Sequence, residues 1–203
     1  MKKYAVLHEP GDIVTLAGTR FVVLDVERRG SLPDSLFLLA LESVGTSEFG
    51  SSNNYAESDL KKAVDKWLED MDKRGLDNAK LIPREIDLTT LDGSGCYGKL
   101  SVKAAPLTLD EARKYADIIP NAERWCWLAT GWSGPSKSDG DRALYVYSNG
   151  DWHDGRCSSS CGIRPALKAP SILFEDSEAG LDLSKIPTDD LLQEIHRRLA
   201  EKA

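Results

Sequence analysis

Residues 148–167, "SNGDWHDGRCSSSCGIRPAL", hold most of the side chains in this chain that could do chemistry. His153, Cys157 and Cys161 follow an H-x3-C-x3-C spacing, and Cys126 could supply a fourth soft donor. Zinc sites usually pair two close ligands with a second close pair at a distance, and no such second pair is present. Two reduced thiols beside a loop are therefore the expectation, with neither metal nor cofactor. Asn149, Asp151 and Asp154 are hard oxygen donors of the kind that hold calcium. Asn149-Gly150 also reads as a turn, which leaves both aspartates as solvated loop residues.

Acid–base chemistry has few candidates. The chain has 3 histidines, His8, His153 and His196, and only His153 falls away from the two ends. No Ser-His-Asp arrangement stands out. The expectation is a protein that binds and does not catalyse. Trp132 and Trp152 lie in Gly/Ser-rich stretches near Tyr145, Tyr147, His153 and Arg156. Exposed Trp beside Tyr, Arg and His is the composition of a binding hot spot. Both rings could equally fold back over their loops. The candidate ligand-binding residues are Trp132, Tyr145, Tyr147, Asn149, Asp151, Trp152, His153, Asp154, Arg156 and Ser158. Arg164 sits inside an apolar strand and reads as a structural ion pair or backbone clamp, not as a ligand contact.

The elements that must position these residues are legible in outline. "DIVTLAG" and "TRFVVLDVE" flank Gly18 as a hairpin, and "DSLFLLALES" follows as a third strand. Ser58 can cap a helix whose apolar stripe is Leu60, Val64, Trp67, Leu68 and Met71. Residues 75–106 show no sustained period and read as short strands and loops. Thr108 and Glu111 have capping-box spacing for a short helix. "RWCWLAT" alternates as a strand, with Trp125, Trp127 and Ala129 facing one way and Cys126, Leu128 and Thr130 the other. "RALYVYSNG" and "CGIRPALKA" read as two further strands, with the intervening residues 148–160 as an exposed loop. After Pro170 an acidic linker leads to an amphipathic helix with Thr188 as N-cap, Asp189 and Asp190 in the first turn, and basic residues near its end. The expected units are a domain over 1–170 and an appendage over 171–203, whose helix could dock on a partner or a second copy.

Composition narrows the classes. The 203 residues are 41% apolar and 29% charged, ordinary for a globular protein. The net charge of −7 argues against nucleic acid as a partner. No apolar run reaches the roughly 18 residues of a membrane span. The N-terminal stretch lacks the apolar core of a signal peptide, so the expected location is the cytoplasm, or a virion if the chain is phage-encoded. Its 4 cysteines are too few for a disulfide scaffold.

Taken in order, "GDIVTLAGTRFVVLD", "NNYAESDLKKAVDKWLEDM", "PLTLDEARKY", "WCWLAT" and "CGIRPAL" resemble a domain family of unknown function common in gut bacterial and prophage genomes. The resemblance covers about residues 10–169. Its W-W-L-R-S strand becomes Trp125-Cys126-Trp127-Leu128-Ala129-Thr130 here, without the usual Arg. Members are similar to the formylglycine-generating-enzyme branch of the C-type lectin fold, which also holds the variable proteins of diversity-generating retroelements. The resemblance implies an α+β fold of that type, with small twisted antiparallel sheets, two flanking helices and much irregular chain. It implies that the segment before the last strand faces a protein or glycan ligand, as in a retroelement-diversified or phage receptor-binding protein. Residues 145–160 are largely of the kinds that adenine-directed mutagenesis of Asn codons produces. An oxidoreductase of the formylglycine-generating type and an assembly protein docked through its tail helix are the alternatives. The paired cysteines of formylglycine-generating enzymes lie well upstream of the closing strand, whereas Cys157 and Cys161 abut it.

Overall fold

The structure is a computed structural model that describes residues 8–30, 32–174, 188–189 and 192–193. The chain folds as α+β: two five-stranded sheets, a small two-stranded sheet and two α-helices among the described residues. The first sheet opens with β1 (Ile13–Leu16) and β2 (Thr19–Arg29), joined at Ala17-Gly18. Both turn residues have positive φ, 45° and 76°, as a tight hairpin matched to strand twist requires. β3 (Leu32–Ala40) pairs with β2 along its whole length. β12 (Ala166–Pro170) lies antiparallel between β3 and the short β7 (Ala104–Ala105), giving the order β1-β2-β3-β12-β7. β5 (Arg84–Asp87) and β6 (Lys99–Val102) form the separate two-stranded ribbon.

The second sheet carries the region of interest. Its order is β10-β9-β8-β11-β4, from β4 (Thr46–Glu48), β8 (Cys126–Gly131), β9 (Arg142–Val146), β10 (Trp152–Arg156) and β11 (Ser160–Gly162). Two of its features depart from expectation. Residues 148–160 are not one loop: "WHDGR" is a strand in full antiparallel register with β9, from Trp152 opposite Val146 to Arg156 opposite Arg142. Five residues with only one large apolar side chain do not read as a strand. The pairing arises because β9 offers a free edge. "CGIRPALKA" is likewise not one strand. It breaks at Ile163–Pro165, where the chain leaves β11 in the second sheet and enters β12 in the first. Pro165 has no N–H to give a ladder, and its carbonyl instead accepts from Ala40 N at 2.8 Å.

The central strands of both large sheets are buried on both faces, which is why β2 and β8 include continuous apolar runs. Helix α1 (Asp59–Lys73) is capped by Ser58, whose hydroxyl accepts from Lys61 N at 2.9 Å. It lays Leu60, Val64 and Met71 against Phe21, Val23, Trp127 and Ala129. Trp67 is half-buried in the same stripe, its ring 6.4 Å from Phe21. Helix α2 (Leu109–Lys114) has the complete capping box of Thr108 and Glu111. With Leu107, Leu109, Ala112 and Tyr115 it covers the opposite side, against Val22, Leu24, Leu128 and Leu144. Alternate residues of β8 thus serve different cores, as its sequence alternation predicts.

Ser171–Phe174 continue from β12 into a 3-10 turn that buries Phe174. The expected tail helix lies outside the described residues except for Thr188, Asp189, Leu192 and Gln193, which are helical. No helix among the described residues is long and apolar enough to cross a membrane.

Candidate functional site

The β9–β10 hairpin is anchored at its base and free at its tip. At the base, Arg142 pairs with Asp154. Cys157 N donates to Asp141 O at 2.7 Å, and the Cys157 carbonyl accepts from Phe49 N and Gly50 N. Asn53 fixes the chain that leads into β9. Fully buried, it donates from Nδ2 to the carbonyls of Ser133 (2.8 Å) and Arg142 (3.0 Å), while its Oδ1 accepts from the Tyr97 hydroxyl at 2.5 Å. At the tip, Tyr147 N donates to Asp151 O at 2.7 Å, and Gly150 makes the turn with φ of 92°. Asn149 holds Asp151 from both sides: its Nδ2 donates to the carboxylate at 2.7 Å, and its Oδ1 accepts from Asp151 N at 3.1 Å.

Strand alternation sends the candidate residues to two faces. On one face Trp127, Tyr145 and His153 lie side by side, since Tyr145 is opposite both Trp127 and His153. Trp125 stacks on Tyr145 with ring centroids 5.6 Å apart and planes 10° from parallel. Tyr147 stands edge-on to Trp125 at 4.7 Å and to His153 at 4.6 Å. Trp127 is the buried end of this cluster, 1% exposed, with Nε1 donating to Ser47 O at 3.0 Å. Trp125 is its open end, 48% exposed. Tyr145 is buried, and burial pushes its hydroxyl up to about 12. Gly155 makes room for it, because a Cβ there would stand 2.9 Å from Tyr145 Cε1.

On the other face Cys126, Val146 and Trp152 look toward α2. Between them and the segment that follows α2 is a cavity of about 310 Å3. Its walls are apolar, from Leu39, Leu107, Ala112, Ile119, Leu128 and Val146. Its rim is the hairpin tip and Asn121, with Trp152 38% exposed beneath the guanidinium of Arg113, 5.5 Å from the ring centroid. Arg164 also lines the cavity and is 6% exposed. It is a backbone clamp: Nε donates to Ala40 O at 2.8 Å and Nη1 to Pro120 O at 3.0 Å. No carboxylate among the described residues pairs with it, and Nη2 has no partner. Burying a guanidinium without a counter-charge is costly, on the order of several kcal/mol, which the two carbonyl dipoles offset in part.

The remaining candidates lie elsewhere. Arg156 and Ser158 are exposed at the far end of β10, roughly 15–20 Å from the tip at about 3.3 Å per residue. Asp154 is committed to Arg142. Trp132 is half-buried against the Leu128–Leu144 core. The ten residues therefore separate into an aromatic shelf (Tyr145, Tyr147, His153), a cavity rim (Tyr147, Asn149, Asp151, Trp152), Asp154 in the structural base, and Trp132, Arg156 and Ser158 apart from all three. Sequence reasoning missed Trp125 as the exposed member of its pair. The signal was Glu123-Arg124 just ahead of it, which marks the open end of the strand.

Among the described residues no three His, Cys, Asp or Glu side chains are grouped as a metal set. Cys126, Cys157 and Cys161 are buried and Cys96 is exposed, all free. Burial pushes the Cys126 and Cys161 thiols up to about 11 and Cys157 to about 12. They hold their protons at neutral pH and are weak nucleophiles there. No protein-family model, curated protein or solved structure matches this chain.

Proposed function

We propose that this chain is a ligand-binding module, a C-type lectin-like domain of the formylglycine-generating type that meets its ligand at the β9–β10 hairpin. The observation that carries the reading is the half-exposed Trp125 ring stacked on Tyr145, with Tyr147 and His153 beside it. A flat aromatic ring with a hydroxyl and an imidazole at its edge suits the apolar face and hydroxyl rim of a sugar, so the shelf favours a glycan. Aromatic clusters of this kind are also protein hot spots. The anchored base supports the reading too, because tip residues can change without disturbing either core. The raised thiols disfavour a cysteine nucleophile and so favour binding over the oxidoreductase alternative.

The test is an array of immobilised oligosaccharides probed with the full chain, beside Trp125→Ala and His153→Ala. Saturable glycan binding by the wild type, reduced at least about tenfold in Trp125→Ala, is expected. Glycan binding that survives both substitutions would move the ligand off this shelf. Binding to peptides alone would make the partner a protein.

A further inference from the structure

We propose that the outer edge of β10 pairs with β10 of a second copy of this chain, antiparallel about Gly155, so that two copies of the second sheet become one. Natural sheets keep their edges from pairing by shortness, proline, lysine or a bulge. The other outermost strands of the two large sheets, β1, β4 and β7, have 4, 3 and 2 residues. β10 has 5, with neither Pro nor Lys and no break in its register with β9. Its outer side pairs with no strand among the described residues.

The backbone of this edge is set up for a partner. Tyr147 N to Asp151 O at one end and Cys157 N to Asp141 O at the other fix the phase of the β9–β10 ladder. Odd-numbered residues of β10 therefore exchange bonds with β9, and Trp152, Asp154 and Arg156 turn their N–H and C=O outward. The Arg156 carbonyl also accepts from Ser159 N at 2.8 Å, which leaves the second of its two lone pairs.

The side chains select the occupant. With a two-fold axis at Gly155, Asp154 of each copy stands opposite Arg156 of the other, and both are outward-turned residues able to exchange backbone bonds. Opposite charges facing each other across antiparallel strands favour pairing, and like charges disfavour it. Arg156 is exposed and has no ion pair among the described residues. Asp154 is held by Arg142 from the β9 side, and its carboxylate has further lone pairs for a donor from the other side. Glycine at the axis adds no side chain where the two backbones close. β1, "IVTL", carries no charge with which to complement itself. Four backbone bonds and two ion pairs make a small contact, so the dissociation constant should be roughly 0.1 mM, among the weak and transient interfaces. The axis is normal to the sheet, so both aromatic shelves lie on one side of the dimer, roughly 30–40 Å apart by strand spacing and rise. On the glycan reading, on which this consequence alone rests, the dimer presents two sites to one repetitive ligand.

The test is sedimentation velocity of the full chain between about 10 µM and 1 mM, without any ligand, so its outcome is separate from that of the glycan array. The wild type should pass from monomer toward dimer across that range, and less so in about 0.5 M salt. Arg156→Glu sets a carboxylate against Asp154 of the second copy and should weaken association at least about tenfold. Its melting temperature at low concentration should match the wild type, because the exposed Arg156 belongs to neither core. Arg156→Lys keeps the charge and should associate within about threefold of the wild type. A wild type that is monomeric throughout, a dimer that Arg156→Glu leaves intact, or equal loss in Arg156→Lys and Arg156→Glu would overturn the proposal.

Discussion

The two faces of the β9–β10 hairpin are built from alternate residues of the same strands, yet they are finished in opposite ways. On the shelf side Trp127, Tyr145 and Tyr147 fill the space ring against ring, and openness is confined to Trp125 and His153 at the margin. On the cavity side Cys126, Leu128 and Val146 leave about 310 Å3 between themselves and the segment after α2, with an unpaired cation beside it. The shelf is wide aromatic side chains in mutual contact; the cavity is small side chains facing a short helix. The difference teaches that one strand can supply rigidity and recognition together, with residue size on each face deciding which. A filled face offers a surface, and an underfilled one offers a volume.

The comparison breaks most readily at the two buried neighbours Trp127 and Leu128. Trp127→Ala removes the inner end of the ring cluster and should cost about 3–5 kcal/mol in denaturant unfolding. Leu128→Ala enlarges a space that already exists, so its cost should fall near the low end of the Leu→Ala range, about 2–3 kcal/mol. Equal losses would mean the two faces are packed alike.

Gly155→Ala sharpens the shelf side. Its methyl group would press on the Tyr145 ring, which is held between Trp125, Trp127 and Tyr147, so a loss of about 1–3 kcal/mol is expected. Asp154→Ala, one residue away, removes a partly exposed ion pair with Arg142 and should cost no more than about 1 kcal/mol. A reversed order would show that the ion pair, and not ring packing, fixes β10.

The thiols give a pH test of the same contrast. Each is neutral when folded and raised above its ordinary value, so the folded state holds more protons than the unfolded one above pH 9. Stability should therefore be unaffected at neutral pH and fall as pH climbs from about 9 toward the 11 and 12 of the buried thiols. A variant with alanine at positions 126, 157 and 161 should lose much of that slope in melting curves. Iodoacetamide at pH 8 should label exposed Cys96 first and Cys126, beside the cavity, before Cys157 and Cys161. Labelling of Cys157 ahead of Cys126 would count against an accessible cavity.

The smallest expected change in stability is at the shelf's open end. Trp125→Ala should alter unfolding by about 1 kcal/mol or less while removing glycan binding. A larger loss would make Trp125 a structural ring.

Much of this architecture is dictated locally and could be read from the chain. The Gly18 hairpin, the Ser58 and Thr108 caps, the α1 stripe and the two-sided alternation of Trp127 and Leu128 depend on neighbours a few residues away. The periods of helix and strand therefore expose them in the sequence. The buried clamp role of Arg164 was legible for the same reason, as a charge inside an apolar run. Tertiary structure alone decided the rest. "WHDGR" became a strand because β9 presented an unpaired edge. "CGIRPAL" divided between two sheets because Pro165 could not continue a ladder. Whether Trp125 or Trp127 went inside depended on Phe49 and Tyr145, far away in sequence. The cavity belongs to no segment: it is the space left where a six-residue helix, a hairpin tip and Arg164 meet, and such a space is fixed only when all three are packed.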